Sequence, residues 1–394
     1  MKLSRYTFTV VCALFFGNIL HAQSTNDLLD RVMSNNLTLK ALENQVSARG
    51  YESMAAISLP DPEIEFALLA GSPSEIGIRK DISVTQGFDI ATLSGARRNV
   101  VLGENELLKL QWKATRREIM SEARNLVAEI VCRNALIAEY ARRTQLAEGM
   151  ADALKGSLEK GAATVMDHNK AVLALSEARA SLSAVEMERE SLLRRLAALN
   201  GGTRVDVSAV NMDPEMIPED FEEWFDEASE SSSILAYVRQ ATELSKDKLS
   251  LARSESLPSM SVGYMAELVP GSNFRGVTMG ISVPLWSSAR RIRSARYEIQ
   301  AAEAEAADAA ASYRMEAESA YITAMGLKKI ADDYAQVLFH CDNSVYAQKA
   351  YELGQISLLE YLVELDMYYD AVTRSIEADR DYQLALTTLR QIEM

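Results

Sequence analysis

Hydrophobic and polar positions along this chain follow two periods, and the order of those periods occurs twice. From Glu63 to Leu68 the residues alternate, Glu63-Ile64-Glu65-Phe66-Ala67-Leu68, as on a strand with one wet and one apolar face. A turn cluster, Gly71-Ser72-Pro73-Ser74, leads to a return run. There Ile82, Val84, Gln86 and Phe88 are offset from Ser83, Thr85, Gly87 and Asp89. The second occurrence sets Met260, Val262, Tyr264, Ala266 and Leu268 on one face and turns at Pro270-Gly271-Ser272-Asn273. Val277, Met279, Ile281, Val283 and Leu285 then oppose Thr278, Gly280 and Ser282. Strand pairs are predicted over 63–89 and 260–286. Each run is about the length of a tilted strand that crosses a bilayer.

Helical periodicity occupies most of the remainder. Asp27 to Ser58 reads as a first helix, with Leu28, Val32, Leu39, Leu42 and Val46 apolar, until Pro60 and Pro62 stop it. A long helix is predicted over 94–160, without proline, spanning roughly 100 Å, and a matching one over 288–353. Return helices follow over 164–199 and 357–392, and a shorter helix over 234–256. The apolar seams repeat every 3.5 residues or so, the period of coiled-coil packing. One runs Tyr313, Ala317, Ala320, Ala324, Leu327, Ala331, Tyr334, Leu338, Cys341, Val345. The return helices carry Ala171, Leu175, Ala178, Leu182, Val185, Arg189, Leu192, Leu196, Leu199, and Leu358, Leu362, Leu365, Tyr369, Val372, Ile376. Between the halves, Gly201-Gly202, Pro214, Pro218 and an acidic stretch predict a connector over 206–230. Matching points lie roughly 193 to 199 residues apart, so a unit over 23–205 is expected to recur over 206–394.

Residues 1–22 read as a secretory signal, with Lys2 and Arg5 before the apolar run Phe8 to Leu20 and a small-residue end at Ala22. Cys12 lies too early in that run for a convincing lipid attachment. The formal net charge of −15 argues against a nucleic-acid partner, which needs a basic face. Beyond the signal no stretch is long and apolar enough for a membrane helix, so membrane entry would require a closed barrel. Cys132 and Cys341 sit within helical periodicity and read as small core residues, their pairing left open. There is no phosphate loop, nucleophile elbow or Cys/His metal spacing, and His168 and His340 lie far apart, so neither catalysis nor a cofactor is expected.

Four strands cannot close a membrane barrel, whose known minimum is about eight, and an open edge in lipid leaves backbone groups without partners. Several copies must therefore share one barrel, and three would supply about twelve strands. The order and spacing of these features resemble the TolC-type outer membrane efflux proteins. The carriers are Ala48-Arg49 through Leu59-Pro60-Asp61-Pro62, Ile281-Ser282-Val283-Pro284-Leu285-Trp286, the Arg-led helices, and the turns Gly161-Ala162-Ala163-Thr164 and Gly354-Gln355-Ile356-Ser357. The style of the strand region is similar to the cobalt–zinc–cadmium efflux branch. The resemblance implies a mostly α fold with a small transmembrane β part. Four strands per chain would enter a trimeric, twelve-stranded barrel, continued by a coiled-coil periplasmic tunnel. It implies a homotrimer in outer membrane lipid that meets a periplasmic adaptor and an inner-membrane pump. It implies that the two Gly turns form the adaptor-docking tip. It also implies a gate of acidic residues, for which Glu360, Glu364, Asp366 and the first-half Asp167 are candidates; the position after Glu360 in the family spacing falls on Val363. Arg97, Arg98, Arg290, Arg291, Arg293 and Arg296 either meet lipid phosphates or pair with acids. Type I protein secretion on the same fold, and an exported coiled-coil scaffold without a pore, stand as alternatives.

Overall fold

The computed structural model describes residues 25–55, 57–73, 75, 77–209, 216–284, 286, 288–341 and 343–393. The expected signal over 1–22, with Cys12, lies outside the described residues, as do Ser74, Pro214 and Leu285. Two helices, α1 (Thr25–Asn35) and α2 (Leu37–Ala55), stand where one helix over 27–58 is predicted. The break is at Asn36, which is buried. Its side-chain oxygen accepts from the Leu39 N–H at 3.0 Å, and its amide donates to the Leu199 carbonyl at 2.9 Å. Asn thus caps α2 rather than continuing α1.

Strands β1 (Glu63–Ala70) and β2 (Ile78–Phe88) follow, then a short α3 (Ile90–Leu93) and α4 (Ala96–Glu159). At 64 residues α4 is about 96 Å long. Helix α5 (Val165–Leu199) returns along it. The second half contains α6 (Phe221–Ser231), α7 (Ser233–Ser254), β3 (Ser259–Val269), β4 (Ser272–Ser282), α8 (Ser288–His340), α9 (Ser344–Glu352) and α10 (Leu358–Glu393).

Three sequence expectations are corrected here. The connector over 206–230 contains α6. Asp220 caps it by accepting from the Glu222 and Glu223 N–H groups at 2.8 and 3.0 Å. The acidic charge of this stretch masked a helical stripe, Phe221, Trp224, Phe225 and Ala228, which packs on Tyr313 and Tyr321 of α8. The long helix over 288–353 is two helices, divided after His340. Asn343 and Ser344, residue types that favour caps and turns over helix interiors, stand at the break. The apolar seam ends with it: Cys341 and Val345 are exposed, and Ala347 is buried instead. Finally, β4 ends at Ser282 rather than near 286, two residues before Pro284, which has no N–H for the ladder.

The core is a line of separate helical clusters rather than one centre. One joins Leu28, Val32 and Leu39 to Leu126, Ile130, Leu193 and Leu196. A second is the α6–α8–α10 cluster, and a third lies where the two helical hairpins end. Arg189, which interrupts the α5 seam, donates to Asn134 and to the Val207 carbonyl, and Asn134 itself bonds the Val207 and Ala209 carbonyls. The seam therefore tolerates a charge because the extended segment after α5 accepts its hydrogen bonds. Both Cys132 and Cys341 are free thiols; Cys132 is buried, but Cys341 is exposed, against the expectation that it lies in the core.

Candidate functional site

The four strands form one antiparallel sheet in the order β1-β2-β3-β4, which leaves β1 and β4 as edges. The register aligns the alternation of all four strands. Ile64, Phe66 and Leu68 stand opposite Val84, Ile82 and Lys80. Val84 and Ile82 stand opposite Tyr264 and Ala266, and Phe88 opposite Met260. Met260, Val262 and Tyr264 stand opposite Ile281, Met279 and Val277. One face is thus largely apolar across all four strands, interrupted by Lys80, Gln86, Asn273 and Arg275, because partners across a ladder point to the same side. The other face carries Glu65, Asp81, Ser83, Thr85, Ser261, Glu267 and Thr278, with Arg79 paired to Asp81 and Glu267 at 2.9 and 2.7 Å.

Among the described residues nothing covers the apolar face. Met279 is 83% exposed, and Ile64, Phe66, Val277 and Ile281 are exposed with it. Eleven residues of strand extend about 37 Å, and a tilt near 45° gives about 26 Å of height, close to the apolar band of an outer membrane barrel. Gly263 permits the tight centre of the polar face. A Cβ there would lie 2.7 Å from Thr278 Oγ1 and 2.8 Å from both Thr85 Oγ1 and the Val84 carbonyl. Among the described residues no helix is long and apolar enough to cross a membrane.

At the sheet's base, the arginine cluster divides. Arg97 lies 3.7 Å from Asp89 and 3.5 Å from Glu255, and Arg291 pairs with Glu255 at 2.8 Å. Arg98, Arg290, Arg293 and Arg296 are exposed, and Trp286 beside them is 90% exposed.

At the opposite end of the long helices the two hairpin turns share one construction. Gly161 (φ 73°) and Gly354 (φ 70°) are left-handed. The Gly161 and Ala162 N–H groups donate to the Leu158 and Ser157 carbonyls, as those of Gly354 and Gln355 do to Tyr351 and Ala350. This is the paired closure of a Schellman motif, made twice. Each turn ends in a capping box. Thr164 and Asp167 exchange hydrogen bonds, the Thr164 hydroxyl meeting Asp167 Oδ2 at 2.6 Å. Ser357 N–H donates to Glu360 Oε2 at 2.7 Å, and Glu360 N–H to Ser357 Oγ at 3.3 Å. The gate candidates Asp167 and Glu360 are therefore also capping residues. Both carboxyls are held below their usual range: Asp167 chiefly by the Thr164 hydroxyl, Glu360 chiefly by the Ser357 backbone N–H.

Glu364 is exposed one turn beyond Glu360 on the same face, whereas Asp366 lies about 120° round the helix. The structure thus groups Glu360 with Glu364 and separates Asp366. Ala163 and Ile356 pack against a cluster built from both hairpins: Ala151, Leu154, Ala171, Ala347, Leu358, Tyr361 and Leu365. Around it Val165, Met166, Leu353, Leu359 and Val363 are exposed.

Sequence reasoning missed one polar junction, two turns above this cluster. Arg143 of α4 is 10% exposed and bonds Glu139, which is 12% exposed, at 2.7 Å. It also reaches across to α10, where it meets Tyr369 and Thr373. A basic pair beside an acid three residues back reads as a solvated face in sequence, and only the packing of α4 on α10 turns it inward. No three His, Cys, Asp or Glu side chains among the described residues converge on a metal-sized site.

No protein-family model and no curated protein sequence matches this chain. Solved structures do. A membrane protein from Pseudomonas aeruginosa superposes with TM-score 0.78 at 14% identity, over 94% of this chain and 93% of that one. The CmeC outer membrane channel of Campylobacter jejuni gives 0.77 at 14% identity, over 94% and 85%. The open-state MtrE outer membrane channel of Neisseria gonorrhoeae gives 0.74 at 14% identity, over 94% and 89%. Two long helical hairpins, each joined to an antiparallel strand pair, are thus the fold that this chain shares with bacterial outer membrane channels.

Proposed function

We propose that the chain is one subunit of a homotrimeric outer membrane exit duct. The observation that carries this reading is the sheet: apolar on one face, polar on the other, and unpaired at both edges. Such a sheet suits a barrel wall between lipid and water, and it needs other copies to seal its edges. Three copies give twelve strands, within the known range for such barrels. The α4–α5 and α8–α10 hairpins then continue the barrel as a tunnel into the periplasm. Transport is passive. The cargo is metal cations or small toxic compounds, delivered by an inner-membrane pump through a periplasmic adaptor.

The paired turns at 161–164 and 354–357 are the docking tip in this reading. Exposed Val165, Met166, Leu353 and Leu359 beside rigid Schellman turns supply an apolar, pre-shaped surface for an adaptor hairpin. Glu360 and Glu364 form the acidic constriction when three copies meet, and adaptor binding favours the open tip only by binding it better than the closed one. The exposed arginines and Trp286 at the sheet's base suit the phosphates and interface of the inner leaflet. The test is reconstitution of the purified protein in planar bilayers. Discrete, cation-selective conductance steps are expected; a protein that leaves the bilayer sealed would refute the duct.

A further inference from the structure

Charge on the sheet is sorted by sign. The acids of the four strands are Glu63, Glu65, Asp81 and Glu267, and the register places all of them on the polar face, with Arg79. On the opposite face the charged strand residues are Lys80 and Arg275, both basic and both exposed. Lys80 stands near the start of β2 and Arg275 near the start of β4. Both therefore lie beside the hairpin turns, at the end of the sheet away from the helices. Lys80 is level with Leu268 and Asn273, and Arg275 is level with Ala266. Two strand spacings across and two residues along put their Cα atoms about 12 Å apart. Both side chains are long enough to meet one ligand between them.

A charge on a lipid-facing strand is tolerated near an interface and is costly at mid-membrane. Ring closure adds no strand acid to this face, because β1 presents Ile64, Phe66, Leu68 and Ala70 there. Glu75, in the β1–β2 turn, is the competing acid.

We propose that Lys80 and Arg275 form a site for a phosphorylated lipid headgroup of the outer leaflet. Arg275 offers paired N–H donors, Lys80 a point charge, and Asn273 a neutral donor. The site rests on the duct reading, which sets this end of the sheet at the cell exterior.

Native mass spectrometry of the detergent-purified full chain, titrated with diphosphoryl lipid A, reads bound lipid and oligomeric state together. The native trimer should take up this lipid in preference to phosphatidylcholine. Lys80→Gln or Arg275→Gln should weaken the binding about fivefold each, and the double variant about thirtyfold. Arg79→Gln, at the same height on the polar face, should bind as the native protein does. Inorganic phosphate at equal concentration should leave the lipid bound. A native trimer without preference overturns the proposal, as does undiminished binding in the double variant, an equal loss in Arg79→Gln or displacement by phosphate. A trimer that dissociates both in the double variant and in Glu75→Gln also overturns it, and assigns the two bases to the turn acid of a neighbouring copy. A monomer that binds no detergent refutes the duct and this site together, whereas an ion-conducting trimer without lipid preference refutes this site alone.

Discussion

The guanidinium of Arg143 lies over the ring of Tyr369, 4.4 Å from its centroid, and donates to the carbonyl of the same residue at 2.9 Å. One side chain thereby joins α4 to α10 by a cation–π contact, a backbone hydrogen bond and a bond to Thr373 at 3.0 Å. Glu139 holds it from behind. Burial alone would raise the Glu139 pKa, but hydrogen bonds from Arg142 and Arg143 outweigh burial and the net shift is downward.

Arg143→Ala should therefore destabilise the tip half of the helices by about 2 kcal/mol, the scale of lost hydrogen bonds to a charged group, since Arg142 still pairs with Glu139. Hydrogen exchange should show α4 and α10 loosening together near 139–143 and 369–373, with the sheet unchanged. Because the Glu139 pKa is depressed in the folded chain, its contribution is complete above the ordinary carboxylate range. That contribution fades as pH falls through the lowered value. The native protein should lose this local protection at acid pH, and Arg143→Ala should show a smaller pH step, because Arg142 still bonds Glu139.

Glu360 has two roles that substitution can separate. Gln at the third helical position still closes a capping box, whereas Ala does not. Glu360→Gln should keep the α9–α10 turn protected from exchange but lower the cation selectivity of the reconstituted channel. Glu360→Ala should lose both. Selectivity that survives in Glu360→Gln leaves Glu360 a cap and nothing more. The depressed Glu360 carboxyl also sets a direction: its support of the turn is present above the normal carboxylate range and is lost in more acid solution.

The two faces of the sheet should respond oppositely to charge. Met279 stands mid-strand on the apolar face, opposite Val262, whereas Ser83 lies on the polar face opposite Met265. Met279→Arg should cost about 2–4 kcal/mol in the membrane and reduce the assembled protein recovered from outer membranes. Ser83→Lys should assemble normally and shift ion selectivity toward anions. Equal tolerance at both positions would mean that neither face meets lipid.

The strands could be read from the chain because alternation of the type Val277-Thr278-Met279-Gly280-Ile281 has few other physical meanings. The hairpin turns could be read because only glycine enters the left-handed region cheaply, and Thr164 and Ser357 each stand three residues before an acid. What stayed hidden depends on partners distant in sequence. The α6 stripe was obscured by the acids between its aromatics, and its value appears only when Tyr313 and Tyr321 are brought against it. The division after His340 falls just before Asn343 and Ser344, poor helix-interior residues whose effect a seam of small residues does not reveal. Arg143 and Arg117 look alike in sequence. Packing leaves Arg143 bonded across two helices and Arg117 of α4, among the described residues, without partners on Nε and Nη1.

The central claim is that β4 of one copy pairs with β1 of the next until the ring closes. Single cysteines placed along β1, combined one at a time with single cysteines along β4 in a background lacking Cys132 and Cys341, test it by disulfide formation in native outer membranes. A register of adjacent pairs should oxidise to a covalent species that ends at three subunits and withstands denaturing electrophoresis until reduced. Pairs that never cross-link, with the protein recovered as a monomer free of detergent, would contradict the claim.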